Sequence, residues 1–387
     1  MLASHKSGFG PTGVIFCAFF TFAAMACAEG YGGGTGTPEN PYQIWTADQM
    51  NAIGVNPEDW TKHFKLMADI DLSVYPVTQY NIIGNAATKF TGIFDGNNHV
   101  IHKFIYRTTA VVDNVGLFGY LDHAMIQNLS VKNISIWTHG KYVGGLVGWS
   151  HSSTLIACRV GDGAVEGNRY VGGLVGGNSS GFVTNCYAAD CCVNGEGDLG
   201  GLIGYNEGVL TNCYATGPVY GGVYGTNNIG GLIGNNSGLA TNCYAAVGVG
   251  GTINVGGLVG FFTSGTMTTC LWDTQATAQD NGVGYGSSDG VTGKTTPEMM
   301  TRLTFTNADW DFASTWAICE GTNYPRLKWQ IPAKDWVCPD GVGTDDLLYL
   351  AERWMASTPE TVGAADGNGD GRVDLEDLGI LSENWGQ

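Results

Sequence analysis

The densest metal-type chemistry in the sequence lies near its C-terminal end. Asp366, Asn368, Asp370, Arg372, Asp374 and Asp377 stand at positions 1, 3, 5, 7, 9 and 12 of the stretch Asp-Gly-Asn-Gly-Asp-Gly-Arg-Val-Asp-Leu-Glu-Asp. Oxygen donors at alternate positions, with glycine sixth for the sharp turn, suit a hard cation that takes about six to eight oxygens, and this predicts calcium. Asp366, Asn368 and Asp370 would give side-chain oxygens and Arg372 its backbone carbonyl. Asp374 would act directly or through water, and Asp377 would close the loop. Val373 anchors the loop, and the helix that follows carries Leu378, Leu381 and Trp385 on one face.

The pattern occurs a second time, earlier in the chain. At one constant offset Val373, Asp377, Leu378, Leu381, Glu383 and Trp385 fall on Val342, Asp346, Leu347, Leu350, Glu352 and Trp354. The donors do not all repeat, because Asn368 falls on Val337 and Asp370 on Pro339. The expectation is one full calcium loop and one degenerate loop at 335–346, which uses Asp340 and Asp346 or holds no ion. The formal charge of −18 supports this placement. From Pro332 to Gln387, 12 acids and 3 bases leave −9, half of the excess. Such a charge repels a phosphate backbone, and no basic stripe offsets it, so nucleic acid is excluded as a partner.

Elsewhere the reactive groups are sparse. The repetitive middle of the chain offers Asp162, Glu166, Asp190, Glu196, Asp198 and Glu207, with Arg159 and Arg169. Glycoside hydrolysis needs two carboxylates about 5–10 Å apart across a groove, and a lyase needs a base. None of these residues reads as a catalytic constellation at a stacking period. Asp69, Asp71, Asp95 and His99 are denser, but Asp95-Gly96-Asn97-Asn98 reads as a turn with local side-chain bonds, and His99 as a strand residue. No catalytic residue is therefore expected. The leading reading is a non-catalytic binding, adhesion or structural protein. The alternative is a carbohydrate-active enzyme, a glycoside hydrolase or polysaccharide lyase. Trp149, Tyr205, Tyr220 and Tyr224 are the aromatics expected to stack on sugar rings.

The elements that carry these residues follow from a repeat. Gly-Leu recurs in nearly even steps, with its glycine at 116, 145, 173, 201, 231 and 257. Around it runs V/I/L-G-G-L-I/V-G. A second column is Leu129, Cys158, Cys186, Cys213, Cys243 and Cys270, and three of these cysteines sit in Thr-Asn-Cys-Tyr-Ala. Paired glycines in every unit would cost a helix about 1 kcal/mol each. Short apolar runs broken by Gly, Asn and Ser read as strands and turns. Charged residues at 13% beside 61 glycines fit many short strands. The prediction is a mainly β, right-handed parallel β-helix of about 28-residue coils stacked about 4.8 Å apart. Leu146, Leu174, Leu202, Leu232 and Leu258 would form one inward stack and the cysteines another, as small hydrophobes and not as metal ligands. Asn185, Asn212 and Asn242 would form an amide ladder at a turn. Tyr187, Tyr214 and Tyr244 would point outward or pack under a loop. Cys191-Cys192 would lie in a turn outside the column.

At this point the chain resembles the GLUG-motif proteins of bacterial surfaces and secretions. The resemblance rests on V-G-G-L-V-G with flanks such as Asn40-Pro41-Tyr42-Gln43-Ile44 and Tyr324-Pro325-Arg326-Leu327. It implies a right-handed β-helix and a cell-surface or adhesin-like role. The acidic tail resembles a type I dockerin, with Asp377 where most EF-hands have Glu. That resemblance implies a calcium-dependent module that plugs into a cohesin-like domain on a scaffold or cell surface. Its partner-choosing positions, Leu375 and Glu376 with Thr344 and Asp345, depart from the Ser-Thr type of cellulosomal dockerins and leave the partner open.

The predicted organisation is a signal peptide over 1–28 and an N-terminal cap with the first coils over 29–105. The GLUG-repeat β-helix follows over 106–275, a capping segment over 276–331 and the dockerin-like module over 332–387. Val14–Met25 is too short to span a bilayer comfortably, and Ala26-Cys27-Ala28 reads as a cleavage site, with a lipoprotein anchored on Cys27 ranked second. No membrane span is expected, and the chain is expected outside the cell. Removing Cys17 and Cys27 from 11 cysteines leaves nine, an odd number, so at least one thiol is free or intermolecular. Thr46 is read as the N-cap of a short helix that covers the open end of the first coil.

Overall fold

The computed structural model describes residues 30–222, 227–331, 335, 337–338, 342–358, 365–368, 370–383 and 385. The expected leader at 1–28, Tyr224 and Asp340 lie outside them.

The chain winds into a parallel β-solenoid of about eight turns at about 28-residue spacing. Strands of successive coils stack into four faces, and some coils place two strands on one of them, as Tyr214–Ala215 and Val219–Gly221 do. The first face is a nine-stranded sheet from Tyr42–Ile44 to Thr266–Thr268. A second of thirteen strands, among the described residues, runs from Ile70–Asp71 to Val291–Lys294. A seven-stranded face spans Phe118–Asp122 to Val283–Tyr285, and a five-stranded face spans Lys141–Gly144 to Ile253–Gly256. Every named pairing in these faces is parallel, with Val143, Val171, Leu199, Ile229 and Val255 opposed in turn.

The register explains the repeat. Leu146, Leu174, Leu202, Leu232 and Leu258 are fully buried as one inward stack, and their backbones bond coil to coil, with Leu146 N to Leu174 O at 3.0 Å. The preceding glycine is a requirement of close approach. A Cβ on Gly173 would stand 2.3 Å from Gly201 O and 2.9 Å from Ala188 Cβ. The second column is equally buried, and each thiol donates to the carbonyl two residues back, as in Cys186 Sγ to Thr184 O at 3.2 Å. Ala157, Asn185, Asn212, Asn242 and Thr269, one residue before those cysteines, take φ between 48° and 54°. This left-handed corner turns the chain between two faces, and Asn tolerates it better than most residues.

The N-terminal helix, Ala47–Val55, is capped as expected by Thr46, whose Oγ1 accepts from Gln49 N at 3.3 Å, and it buries Met50 and Ile53. The segment 276–331, expected to close the far end of the solenoid, divides in two. Val283–Tyr285 and Val291–Lys294 add a further coil on Val259 and Cys270. Residues 296–331 then fold back as a strap along the thirteen-stranded face. The reason is the tyrosine column. Tyr187, Tyr214 and Tyr244 stack face to face at 4.7 and 4.9 Å on the outside of that face. They are sealed by Phe305, Trp310, Trp316 and Leu327 in a second apolar core. Tyr244 OH donates to Pro325 O at 2.7 Å, and Trp329 Nε1 to Asn185 O at 3.0 Å.

Candidate functional site

The C-terminal residues form a small core of their own, Val342, Leu350, Ala365, Val373 and Leu381. Its two helices, Thr344–Glu352 and Leu375–Glu383, carry the same offset as the sequence repeat. All six predicted metal residues are in or beside the turn before the second helix. Gly371, sixth in the loop, has φ +86°, and no neighbouring atom lies within 4 Å of where its Cβ would stand. Asp366 accepts from Asp370 N at 3.0 Å and Gly371 N at 2.9 Å. Asp370 accepts from Arg372 N at 2.9 Å, and Asp374 from Glu376 N at 2.9 Å. Asp377, fully buried, accepts from Gly367 N at 2.7 Å and Asp374 N at 2.8 Å. Asn368 spends its amide nitrogen on Glu376 at 3.0 Å, which leaves its oxygen to the loop. Among the described residues no three His, Cys, Asp or Glu side chains are gathered into a metal cage. The donor set is nonetheless all oxygen, the residue type a hard cation takes, and Gly371 has the left-handed backbone of a sharp turn.

In the solenoid the repeat ties down several of the carboxylates singled out in the sequence. Asp198 is buried and accepts from Arg169 Nε, from Asn228 Nδ2 at 2.7 Å and from Asn235 Nδ2 at 3.1 Å. Glu196 is held by Asn168 at 2.8 Å, and Glu207 by Tyr205 and by Ser179 at 3.0 Å. Asp95 serves its turn, accepting from Asn97 N at 2.9 Å. His99 stands just before the strand Val100–His102 and not within it, and its Nδ1 is 3.0 Å from Asp69.

Asp162 and Asp190, which the sequence places in no catalytic constellation, are brought together at equivalent positions of successive coils. Gly161 opposes Ala189 and Gly163 opposes Cys191, so the two aspartates face one another at left-handed corners with φ 57° and 52°. They were missed because the strands on that face, Arg159–Glu166 and Tyr187–Gly195, run unbroken through the corner. For the same reason Cys191 and Cys192 lie in a strand, not a turn, with Cys191 buried.

Asp162 and Asp190 line a cleft of about 490 Å³ between the solenoid face and the strap, with Lys132, Arg159, Arg326, Asn323 and Gln330. Arg159 is fixed by Nε to Ser130 Oγ at 2.8 Å and Nη1 to Tyr187 OH at 3.0 Å. Burial pushes the Tyr187 hydroxyl above its ordinary pKa, and the Arg159 guanidinium opposes that rise. On another face Trp149 stacks with Tyr205 at 6.3 Å, and Tyr142 with Tyr170 at 4.7 Å. All four rings are half-buried. Tyr220, another of the aromatics named from sequence, is exposed.

A buried ladder was also missed. Asn178 donates to Asn206 at 2.9 Å and Asn206 to Asn236 at 2.8 Å, inside the solenoid. The ladder read from the sequence has one amide bond, Asn212 to Asn185 at 3.1 Å, while Asn242 accepts from Thr269 Oγ1 at 2.5 Å. Cys319 and Cys338 form a disulfide that joins the strap to the tail. No helix among the described residues is long and apolar enough to cross a membrane.

Comparison with known proteins agrees on the repeat. Residues 195–220, about one coil, match the GLUG motif. A stretch of 131 residues is 37% identical to halomucin of Haloquadratum walsbyi, covering 31% of this chain and 1% of halomucin. A stretch of 143 residues is 32% identical to a provisionally named Gly-rich membrane protein of Evansella cellulosilytica, covering 35% of this chain and 16% of that protein. The chain therefore matches only a small part of either relative. In structure it is similar to a provisionally named immunoglobulin A1 protease of Bacteroides ovatus, with TM-score 0.58 and 19% identity over 77% of this chain and 95% of that one. That likeness is one of fold.

Proposed function

We propose that a GLUG-bearing β-solenoid of this kind is an extracellular binding protein without catalysis. The solenoid presents a surface to a polysaccharide or a neighbouring cell. The tail is a dockerin-like module that folds around calcium and attaches the chain to a cohesin-like domain on a scaffold or cell surface. The observation that carries this reading is the doubled tail. Asp346 and Asp377 are both fully buried, each closing one loop ahead of one of two helices related by the repeat. A small core separate from the solenoid's, with half of the chain's excess charge gathered around it, suits attachment rather than turnover.

Asp366, Asn368, Asp370, Asp374 and Asp377, with the carbonyl of Arg372, would hold the ion, which neutralises their mutual repulsion and locks the second helix onto the first. The disulfide supports an oxidising compartment. The similarity to halomucin, and the aromatic columns on the solenoid, support a surface role. The parallel crossovers support a right-handed coil, since connections between parallel strands of one sheet are nearly always right-handed.

Calorimetric titration of the secreted chain with calcium tests the attachment module. One tight site that disappears in Asp370→Ala, with solenoid melting unchanged, is the expected result. Equal calcium binding in the variant, or none in either, contradicts it.

A further inference from the structure

We propose that the cleft between the solenoid and its strap binds an acidic sugar chain, with the carboxylate of one unit held between Arg159 and Arg326. This deepens the binding reading and rests on it. Arg159 comes from the solenoid and Arg326 from the strap strand Arg326–Leu327, so the two guanidinium groups approach one space from opposite walls. Lys132, opposite Gly161 in register, adds a third cation. Among the described residues none of these three makes an ion pair, although Asp162 and Asp190 line the same cleft.

Three cations and two carboxylates leave +1 there, in a chain whose formal charge is −18. Unpaired cations are a poor choice for mere solubility in so acidic a protein. Arg159 is also held in place by Ser130 and Tyr187, which lowers the ordering cost of receiving an anion. A guanidinium matches a carboxylate with two parallel N–H donors. The same cleft offers acceptors for hydroxyls in Asp162 and Asp190. A ligand with one carboxylate and several hydroxyls per unit satisfies both sets. A phosphate dianion does not, because it brings the anion without the run of hydroxyls that Asp162 and Asp190 would accept from.

The test titrates the full chain, calcium present, with a galacturonic acid tetramer, with its methyl ester and with inorganic phosphate. The acid tetramer should bind, the ester and phosphate about tenfold more weakly or worse, and 1 M salt should weaken the acid tetramer. Arg326→Gln and Lys132→Gln should each weaken it about tenfold with unchanged melting. Equal affinity for acid and ester, phosphate binding as tight as the tetramer, or no acid binding at about 1 mM overturns the site. Binding that survives Arg326→Gln also overturns it, yet leaves the binding reading standing. New reducing ends during the titration instead overturn the binding reading itself.

Discussion

Asp346 and Asp377, equivalent positions of the C-terminal repeat, do the same work in two loops. Asp346 accepts from Val337 N at 3.1 Å and Gly343 N at 3.0 Å, and Asp377 accepts from Asn368 N at 3.3 Å and Asp374 N at 2.8 Å. The donors too are equivalent under the repeat. The first loop is thus closed by a carboxylate on backbone N–H groups while lacking the side-chain oxygens that Asn368, Asp370 and Asp374 supply in the second, where it has Val337, Pro339 and Gly343. Asp346→Ala removes the acceptor of two part-buried N–H groups and should destabilise the tail by about 1 kcal/mol. Calcium stoichiometry should stay at that of the unaltered protein. A loss of one bound ion in Asp346→Ala would show that the first loop binds metal as well.

The strap should respond to acid. Asp311 accepts from Ser314 and Thr315 hydroxyls and from Ser314 and Ala313 N–H groups, which hold its pKa down at about 2. A depressed carboxylate contributes stability that is present above its unfolded pKa near 3.9 and is lost as pH falls toward 2. Tryptophan fluorescence should therefore report strap loosening between about pH 4 and 2. In Asp311→Asn that acid step should shrink. An identical acid transition in the variant would remove Asp311 from the account.

Trp316 is fully buried and packs on the Tyr214 and Tyr244 rings at 6.2 and 6.1 Å. Trp316→Ala should cost the strap about 3–5 kcal/mol and open residues 296–331 to limited proteolysis. Tyr244→Phe, which loses the bond to Pro325 O, should cost about 1 kcal/mol. A strap equally resistant in both variants would argue that it is held elsewhere.

The free cysteines should separate cleanly by reactivity. Burial pushes the Cys191 thiol up to about 12 and Cys186 and Cys243 well above the ordinary range, so little thiolate exists at neutral pH. Cys192 is half-buried. In the native protein a maleimide should label Cys192 first, and the column only after unfolding. Prompt labelling of Cys213 or Cys243 would contradict the inward stack.

The inward leucines set solenoid stability. Leu202→Ala should cost about 2–5 kcal/mol, and Leu202→Asp more, because the charge would be buried without a partner. An unchanged thermal midpoint for either would refute the stack.

The solenoid was legible because coil stacking copies one residue type along a column, so Leu146 to Leu258 and Cys158 to Cys270 announce their own burial. The left-handed corners were written as Asn before Cys. The Asp162–Asp190 pair was obscured because its register depends on strands that pass through a corner. The interior Asn178–Asn206–Asn236 ladder was obscured because Asn in a strand reads as a turn residue. The strap was misplaced because nothing local in Trp310 or Trp316 says which surface they cover. That surface is set by Tyr187, Tyr214 and Tyr244, which lie far back along the chain.

The most direct test of the central claim is product release. The chain, with calcium present, is incubated with plant and algal polysaccharides and assayed for new reducing ends and unsaturated uronates. The account predicts none from chain that still binds the acidic oligosaccharide. Product that vanishes in Asp162→Asn or Asp190→Asn would contradict it and make the cleft an active site.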